Sequence, residues 1–189
     1  MGTSRTPILQ SIPTHPRPLR DDAAIGAARD YLGSLGALGL TARLKRLTDG
    51  LLHEARALYD ELGLGIEPNW HLVFLLLEAR GALTVTEITT ALGVAHPSVV
   101  AMTTRMIERG LVKSHPNPTD ARSKRLRLTP KGRARLAAAK PVWEASRAAL
   151  ETLMGETGVD VLGLVASLER ALEARSYRAR TLDARVEKS

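Results

Sequence analysis

The chain has 189 residues, of which 44% are hydrophobic, and it carries a formal net charge of +7. This length suits one domain with extensions, and the apolar content is enough to bury a hydrophobic core. The sequence contains no cysteine, which excludes a disulfide framework and a thiol redox sensor. Its longest apolar runs are too short to span a bilayer, and its N-terminus lacks a signal-peptide hydrophobic region. We therefore expect a cytoplasmic protein without a membrane partner.

Residues 1–22 are rich in proline and poor in apolar side chains, which predicts a disordered or extended tail. Arg5, Arg17 and Arg20 would allow this tail to act as a basic arm in a DNA minor groove. A passive tail is the alternative.

Residues 23–189 are predicted to form a single domain, which begins with a short helix around Ala27 to Leu32. Apolar residues then recur at steps of three and four from Leu40 to Leu62, which predicts a long helix over residues 41–62. Its near-heptad stripe suits packing against another long helix.

A helix-turn-helix is predicted in the middle of the chain, after a helix from Pro68 to Arg80. Its first helix runs from Thr86 to Leu92 and ends at Gly93, where a left-handed residue is favoured. Its second helix opens at Pro97, near a helix start where the missing N–H costs nothing, and runs to about Arg109. The inward residues of these helices are predicted to be Trp70, Val73, Phe74, Leu77, Val99, Met102, Thr103 and Met106.

Two short strands are predicted after the second helix, over residues 111–114 and 125–128, with a polar loop between them. Ala82 to Val85 is a short link that could add a small third strand beside this hairpin. Two helices joined by a glycine-containing turn and followed by a hairpin are typical of a winged DNA-binding module. The predicted fold is mainly α with a small β-wing.

Two helices are predicted after the hairpin. Thr129 and Pro130 are residue types preferred at a helix N-cap and first position, so a long helix should run to Met154. Pro141 should kink or split that helix. A last helix with an apolar stripe should run from about Val159 to Arg178.

The long helices at both ends of the domain have apolar faces, with nothing large to cover them in one subunit. Regions 38–67 and 130–180 are therefore predicted to be the dimerisation helices of a homodimer, and residues 68–129 the DNA-binding lobe. A monomeric bundle in which the helices fold back is the alternative.

The basic residues are concentrated around the second helix and the wing. Between Arg105 and Arg135 there are ten basic and two acidic residues, a net charge of +8, so the rest of the chain sums to about −1. This concentration indicates a surface that binds phosphates of double-stranded DNA. A solvated basic face without a partner is the alternative.

The outward face of the second helix would approach the DNA major groove. Val100 and Ala101 can contact only apolar groups such as the thymine methyl, whereas Arg105 could hold either guanine or a phosphate. His96 would lie at the N-cap of this helix. The candidate DNA-binding residues on this helix are Pro97, Ser98, Val100, Ala101, Thr104 and Arg105.

The wing supplies the remaining candidate DNA contacts. Arg122 at its tip would enter the minor groove. Asp120 would either orient the Arg122 guanidinium or cap the turn. Lys113, Lys124 and Arg125 are predicted to contact backbone phosphates.

The order of these elements and several short motifs resemble the MarR family of bacterial transcription regulators. The strongest match is Asp120-Ala121-Arg122 followed by Arg125 to Gly132, which resembles the D-x-R wing motif and the L-T-x-K-G entry to the next helix. The resemblance covers about Leu38 to Arg178 and implies a winged helix-turn-helix regulator. Further matching fragments are Leu83 to Ile88, Leu92-Gly93-Val94 and Gly110-Leu111-Val112.

Two other fragments, Gly63 to Trp70 and Ala95-His96-Pro97, resemble the regulator module of an acetyltransferase-fused subgroup. About 35 residues follow Met154, too few for an acetyltransferase, so we expect the stand-alone regulator. The family implies a small-molecule effector, and His53, Trp70, His71 and Phe74 are the candidate ligand-binding residues. His53, Glu54 and His71 could alternatively hold a metal, but ordinary surface histidines are the simpler interpretation.

No catalytic or metal-ligating motif is found in the sequence, so we expect no enzyme activity, no cofactor and no metal. The sequence predicts a ligand-responsive repressor that binds palindromic operator DNA as a homodimer. An architectural protein that binds DNA without sequence specificity is the alternative, because Val100 and Ala101 offer little direct readout.

Overall fold

The computed structural model describes residues 31–120 and 122–186 of the chain. Two compact units divide the chain, residues 1–57 and residues 58–189, and the first long helix runs across their boundary. Single 3₁₀ turns occur at Gly36–Gly39 and Pro68–Trp70. The helices are α1 Leu40–Glu61, α2 His71–Arg80, α3 Val85–Leu92, α4 His96–Glu108, α5 Pro130–Glu156, α6 Val161–Ala174 and α7 Tyr177–Val186. The strands are β1 Leu83–Thr84, β2 Val112–Pro116 and β3 Lys124–Leu128.

The first unit contains most of α1, which matches the predicted long helix to within a residue at each end. The leucines of its stripe are exposed: Leu47 keeps 59% of its accessible surface and Leu51 keeps 39%. The predicted tail over residues 1–22 and most of the predicted helix around Ala27 to Leu32 lie outside the described residues.

A three-stranded antiparallel sheet in the order β1-β3-β2 lies in the second unit. Leu83 of β1 pairs with Leu126 of β3, and Val112 of β2 pairs with Leu128. All four side chains are buried, so one face of the sheet joins the core. The predicted small third strand beside the wing is thereby confirmed.

The core of the second unit joins α2 to this sheet and to α4. Val73, Phe74 and Leu77 of α2 are buried together with Trp70, as their spacing predicted. At the edge of this core the Trp143 indole N–H donates to the Tyr59 hydroxyl over 2.7 Å. Burial raises the pKa of the Tyr59 hydroxyl, and the Trp143 hydrogen bond lowers it by less.

Helix α5 runs without interruption through Pro141, so the predicted split does not occur. Proline has no N–H to donate to the carbonyl four residues earlier, at Ala137. Both residues are exposed, so water can reach that carbonyl and the helix continues.

The prediction of one last helix ending near Arg178 is wrong, because the helical conformation is interrupted between α6 and α7. Arg175 is extended, with φ −153° and ψ 118°, and the Ser176 hydroxyl accepts a bond from the Ala179 N–H over 3.2 Å. A serine in this position caps a new helix, and this ends the predicted run of helical residues. Asp160 is the N-cap of helix α6, and its carboxylate accepts from the Gly163 N–H over 2.9 Å.

Candidate nucleic-acid interface

Helix α3, the first of the pair, is fixed at both ends by local sequence. The Thr84 hydroxyl accepts from the Glu87 N–H over 3.1 Å, and the Glu87 carboxylate accepts from the Thr84 N–H over 2.6 Å. This reciprocal capping box lowers the pKa of Glu87, chiefly through the Thr84 backbone bond. Gly93 ends the helix in the left-handed region with φ 64°, as predicted.

Helix α4 begins one residue earlier than the sequence indicated. Ala95 is the N-cap, so His96 is the first helical residue rather than the cap, and Pro97 is the second. Alanine has no side-chain oxygen that could accept from the first N–H groups of the helix. The N-cap is therefore defined only by the extended backbone conformation of Ala95. The Thr103 hydroxyl donates to the Val99 carbonyl over 2.8 Å, which satisfies the polar group of the buried stripe. The predicted buried residues Val99, Met102, Thr103 and Met106 are all buried.

The opposite face of α4 is exposed, as the sequence predicted. Val100 keeps 42% of its surface although it is apolar, which leaves it available to a partner. Arg105 lies one turn further on and has no hydrogen-bond or ion-pair partner among the described residues. The exposed candidate residues of this face are Pro97, Ser98, Val100, Ala101, Thr104 and Arg105.

The wing loop is built around Asn117, whose importance the sequence analysis missed. Its side-chain amide donates to the Ser123 hydroxyl over 2.7 Å, and its oxygen accepts from the Thr119 hydroxyl over 3.0 Å. Asn117 is only 9% exposed, although it lies in a loop. An asparagine before proline is a known turn signal, and it could have identified this residue.

Asp120 caps the turn at the wing tip, which decides between the two roles predicted for it. Its carboxylate accepts from the backbone N–H of Arg122 over 3.0 Å. Among the described residues, the Arg122 guanidinium has no ion-pair partner, and its side chain is exposed. Asp120 therefore fixes the backbone conformation of the turn at Arg122 and does not pair with the Arg122 guanidinium.

Half of the ten basic residues between Arg105 and Arg135 are held by the fold. Arg109 lies 5.1 Å from the centre of the Trp70 ring and donates to the Gly65 carbonyl over 3.3 Å. Arg125 is half-buried, donates to the Ala82 carbonyl over 3.0 Å and lies 3.6 Å from the Glu87 carboxylate. The other three are bound to backbone carbonyls: Lys131 to Arg109, Arg133 to Leu128 and Arg135 to Gly63.

The other five basic residues are exposed and have no such partner in the part of the chain that the structure describes. Arg127 was not among the predicted contacts, yet β-pairing places it directly opposite Lys113 on the outer face of the sheet. Like charges opposite each other destabilise a sheet unless an anion lies near them. The five are Arg105, Lys113, Arg122, Lys124 and Arg127. Only the register of the hairpin could have revealed the Lys113–Arg127 pair.

The predicted ligand-binding residues lie in different surroundings. His53 is exposed on α1 in the first unit. Trp70 and Phe74 are 1% and 0% exposed in the core of the second unit, which favours a packing role. His71 is half-buried, with its Nδ1 2.6 Å from the Pro68 carbonyl oxygen. A ligand contact at these four positions stays a prediction.

The fold and its exposed basic surface define a winged helix-turn-helix protein. Helix α4 presents an exposed face, and β2 and β3 form a basic wing beside it. No helix within the described ranges is both long enough and apolar enough to cross a bilayer.

Comparison with known proteins gives the family. A family model described as MarR family matches residues 64–123. The transcriptional repressor CouR, solved with a 23-mer DNA duplex, is 34% identical, with a TM-score of 0.58 over 71% of this chain and 96% of that one. The chain belongs to the MarR family of transcription regulators.

A second structure shows the same fold at lower identity. MepR of S. aureus, solved as a DNA complex, is 18% identical, with a TM-score of 0.57 over 71% of this chain and 96% of that one. A comparison with curated protein sequences finds no match.

Proposed function

We propose that this regulator is a homodimeric repressor that binds palindromic operator DNA and is released by a small-molecule effector. The observation that carries the DNA-binding proposal is the set of five exposed cations around α4 and the wing that have no ion-pair partner among the described residues, against two carboxylates in the same stretch, Glu108 and Asp120. The phosphates of a DNA backbone neutralise such a surface, and the counterions released from the DNA favour binding. The 34%-identical CouR is described as a repressor bound to DNA, which supports the same role here.

Helix α4 would enter the major groove in this proposal. Ser98 and Thr104 would donate to bases or phosphates, and Val100 and Ala101 would contact thymine methyl groups. Arg105 would hold either guanine or a phosphate, and its unpaired guanidinium suits both. Few groups on this face read bases, so DNA shape should contribute much of the specificity.

The wing would add contacts on both sides of that groove. Arg122 would enter the minor groove, held in place by the backbone turn that Asp120 caps. Lys113 and Lys124 would contact phosphates, and Arg127 joins them on account of its place opposite Lys113. Arg125 is the weakest of the predicted contacts, because the Ala82 carbonyl and Glu87 already occupy it.

The homodimer is supported by apolar faces that the single chain leaves uncovered. On α1, Leu44 and Leu47 keep 48% and 59% of their surface. On α6, Leu164 and Leu172 keep 54% and 51%. Exposed leucines at helical spacing on two separate helices are typical of a protein–protein interface. A second copy of the chain would cover them with two-fold symmetry.

Selection of tight-binding duplexes from a random library, followed by sedimentation of the complex, tests the proposal. We expect the selected duplexes to share a palindromic consensus with half-sites about 10 base pairs apart. The mass of the complex should equal that of the DNA plus two chains of 20.4 kDa. Selected sites should bind at least about 1,000 times more tightly than unrelated duplex. A ratio near one would favour the architectural alternative, which the small residues Val100 and Ala101 would then explain.

A further inference from the structure

The loop between β2 and β3 is closed at its base by two hydrogen bonds between the same two residues. The Asn117 side-chain amide donates to the Ser123 hydroxyl over 2.7 Å, and the Asn117 backbone N–H donates to the Ser123 carbonyl over 3.4 Å. Asn117 is 9% exposed, and its side chain is the one buried among the described residues from Asn117 to Ser123. These two hydrogen bonds, here called the Asn117–Ser123 bridge, hold the two ends of the loop together.

Ser123 connects the bridge to the turn that carries Arg122. Its backbone N–H and its hydroxyl both donate to the Asp120 carbonyl, over 3.1 and 3.2 Å. The Asp120 N–H donates to the Asn117 carbonyl over 3.3 Å, and the Asp120 carboxylate accepts from the Arg122 N–H over 3.0 Å. The backbone at Arg122 is therefore held from both ends of the loop, whereas its guanidinium has no ion-pair partner among the described residues.

We propose that Asn117 and Ser123 are positioning residues, which set the place from which the Arg122 side chain reaches the DNA before any DNA is bound. Their hydrogen bonds join loop residues to one another, so they fix the shape of the loop and add nothing to the packing of the core. Arg122 is the only basic residue between Asn117 and Ser123 in the sequence. A loop that is already ordered loses little conformational freedom on binding, so more of the attraction between Arg122 and DNA appears as affinity. This inference rests on the proposed minor-groove contact of Arg122.

The bridge depends on both of its side chains. Without the Ser123 hydroxyl, the Asn117 amide would be left buried without its acceptor, and an unsatisfied buried group favours opening of the loop. Without the Asn117 amide, the Ser123 hydroxyl can still donate to Asp120, but the two ends of the loop lose their side-chain link. Either loss should affect DNA binding only through Arg122.

Trypsin cleavage of the full-length protein without DNA tests whether the bridge orders the loop. The Arg122–Ser123 bond lies in the loop, and the Arg175–Ser176 bond between α6 and α7 joins the same two residue types, so it serves as an internal reference. In Asn117→Ala, the cleavage rate at Arg122 relative to that at Arg175 should rise about fivefold, because loss of one net hydrogen bond raises the population of the open loop by about that factor. An unchanged ratio would overturn the ordering role of the bridge.

A double-mutant cycle in DNA binding tests the positioning role. Asn117→Ala alone should weaken binding to a duplex with A/T flanks by about fivefold. It should weaken binding to G/C flanks by less, because the affected contact depends on the width of the minor groove. In an Arg122→Ala background the same change should cost less than about twofold, because no guanidinium is left to position. An equal cost in both backgrounds would show a purely structural role and overturn the proposal.

A matched pair of substitutions at Ser123 isolates the hydroxyl. Ser123→Thr retains the hydroxyl and should bind DNA within about twofold of the parent, whereas Ser123→Ala should lose about as much affinity as Asn117→Ala. Equal binding by the two Ser123 variants would overturn the part assigned to this hydroxyl.

The same titrations separate failure of this inference from failure of the proposed function. Parent-like binding of every duplex by Arg122→Ala would overturn the minor-groove contact and the positioning role with it. A normal effect of Arg122→Ala, combined with an equal cost of Asn117→Ala in both backgrounds, would overturn the positioning role alone.

Discussion

The division of the basic residues into unpaired and fold-held groups predicts that two equal charge changes will act differently. Lys113→Gln and Arg109→Gln each remove one positive charge from the same basic stretch. Lys113 is exposed, lies opposite Arg127 and has no ion-pair partner among the described residues. Arg109 lies over the Trp70 ring and donates to the Gly65 carbonyl. Only the first change should remove a phosphate contact.

The magnitudes follow from the number of contacts. If four of the five unpaired cations in each subunit meet phosphates, a dimer neutralises eight, and its log–log salt slope should be about −7. Lys113→Gln removes two of the eight and should bring the slope to about −5. Arg109→Gln should leave the slope near −7. It should lower the free energy of unfolding by about 1 kcal/mol, because it loses a partly exposed cation–π contact.

The assay is a fluorescence-anisotropy titration of a labelled duplex at several salt concentrations, with thermal unfolding measured alongside. The parent protein fixes the reference slope in the same buffer. Equal slopes for the two variants, both shallower than the parent, would show that charge acts only through the net total. The division of the basic residues into unpaired and fold-held groups would then be wrong. A parent slope shallower than about −3 would show that this surface is not the DNA face.

Three further predictions test the wing, the dimer and the entry to α5. Arg122→Ala should weaken DNA binding by roughly 1–3 kcal/mol and reduce the preference for A/T base pairs at the flanks of the site, and Asp120→Ala should have a smaller effect in the same direction. Titrations against flank-substituted duplexes measure both effects. Parent-like binding by Arg122→Ala would refute the wing assignment. Leu168 is 45% exposed on the apolar face of α6, and Leu168→Glu places a charge there. The mass measured by sedimentation at micromolar concentration should therefore shift toward that of the 20.4 kDa monomer. An unchanged dimer mass would show that this face is not part of the dimer interface. Gly132→Ala should lower the free energy of unfolding by roughly 2–3 kcal/mol, because a Cβ there would lie 2.0 Å from the Leu111 carbonyl oxygen. Gly155→Ala meets open space late in α5 and should instead stabilise by about 0.5–1 kcal/mol, so equal effects of the two alanines in chemical denaturation would contradict the predicted clash.

Local sequence was enough to predict the helix-turn-helix and its two faces. Gly93 and the buried stripe from Val99 to Met106 depend on contacts within a few residues, so periodicity and capping rules predict them. Thr129 and Pro130 at the start of α5 are predictable for the same reason: the Thr129 hydroxyl accepts from the Gly132 N–H over 2.9 Å. The Thr84 capping box is equally local but was missed, because the helix was predicted to begin at Thr86 rather than at Val85. The exposed candidates of α4 follow directly once the buried stripe is known.

Features that depend on tertiary contacts were not predictable in this way. The hydrogen-bond acceptors of the Arg109 side chain, Gly65 and Glu67, lie more than 40 residues away in the sequence, and no local pattern distinguishes this arginine from Arg105. The pairing of Lys113 with Arg127 needs the register of β2 and β3, which a loop of uncertain length does not fix. The interruption at Ser176 was missed because the helix was predicted from its apolar stripe, which continues to Leu172, and Ser176 was not considered as the N-cap of a further helix.

The net charge of a basic segment therefore overstates its DNA footprint. A count over residues 105–135 gives +8, but five of its ten cations hold backbone carbonyls or an aromatic ring and stabilise the lobe itself. The remaining five lie on α4, at the wing tip and on the wing strands. The fold keeps Lys113 and Arg127 side by side although their repulsion destabilises the hairpin. A cost of this kind is expected at a binding surface, because the phosphate that relieves the repulsion then contributes to binding.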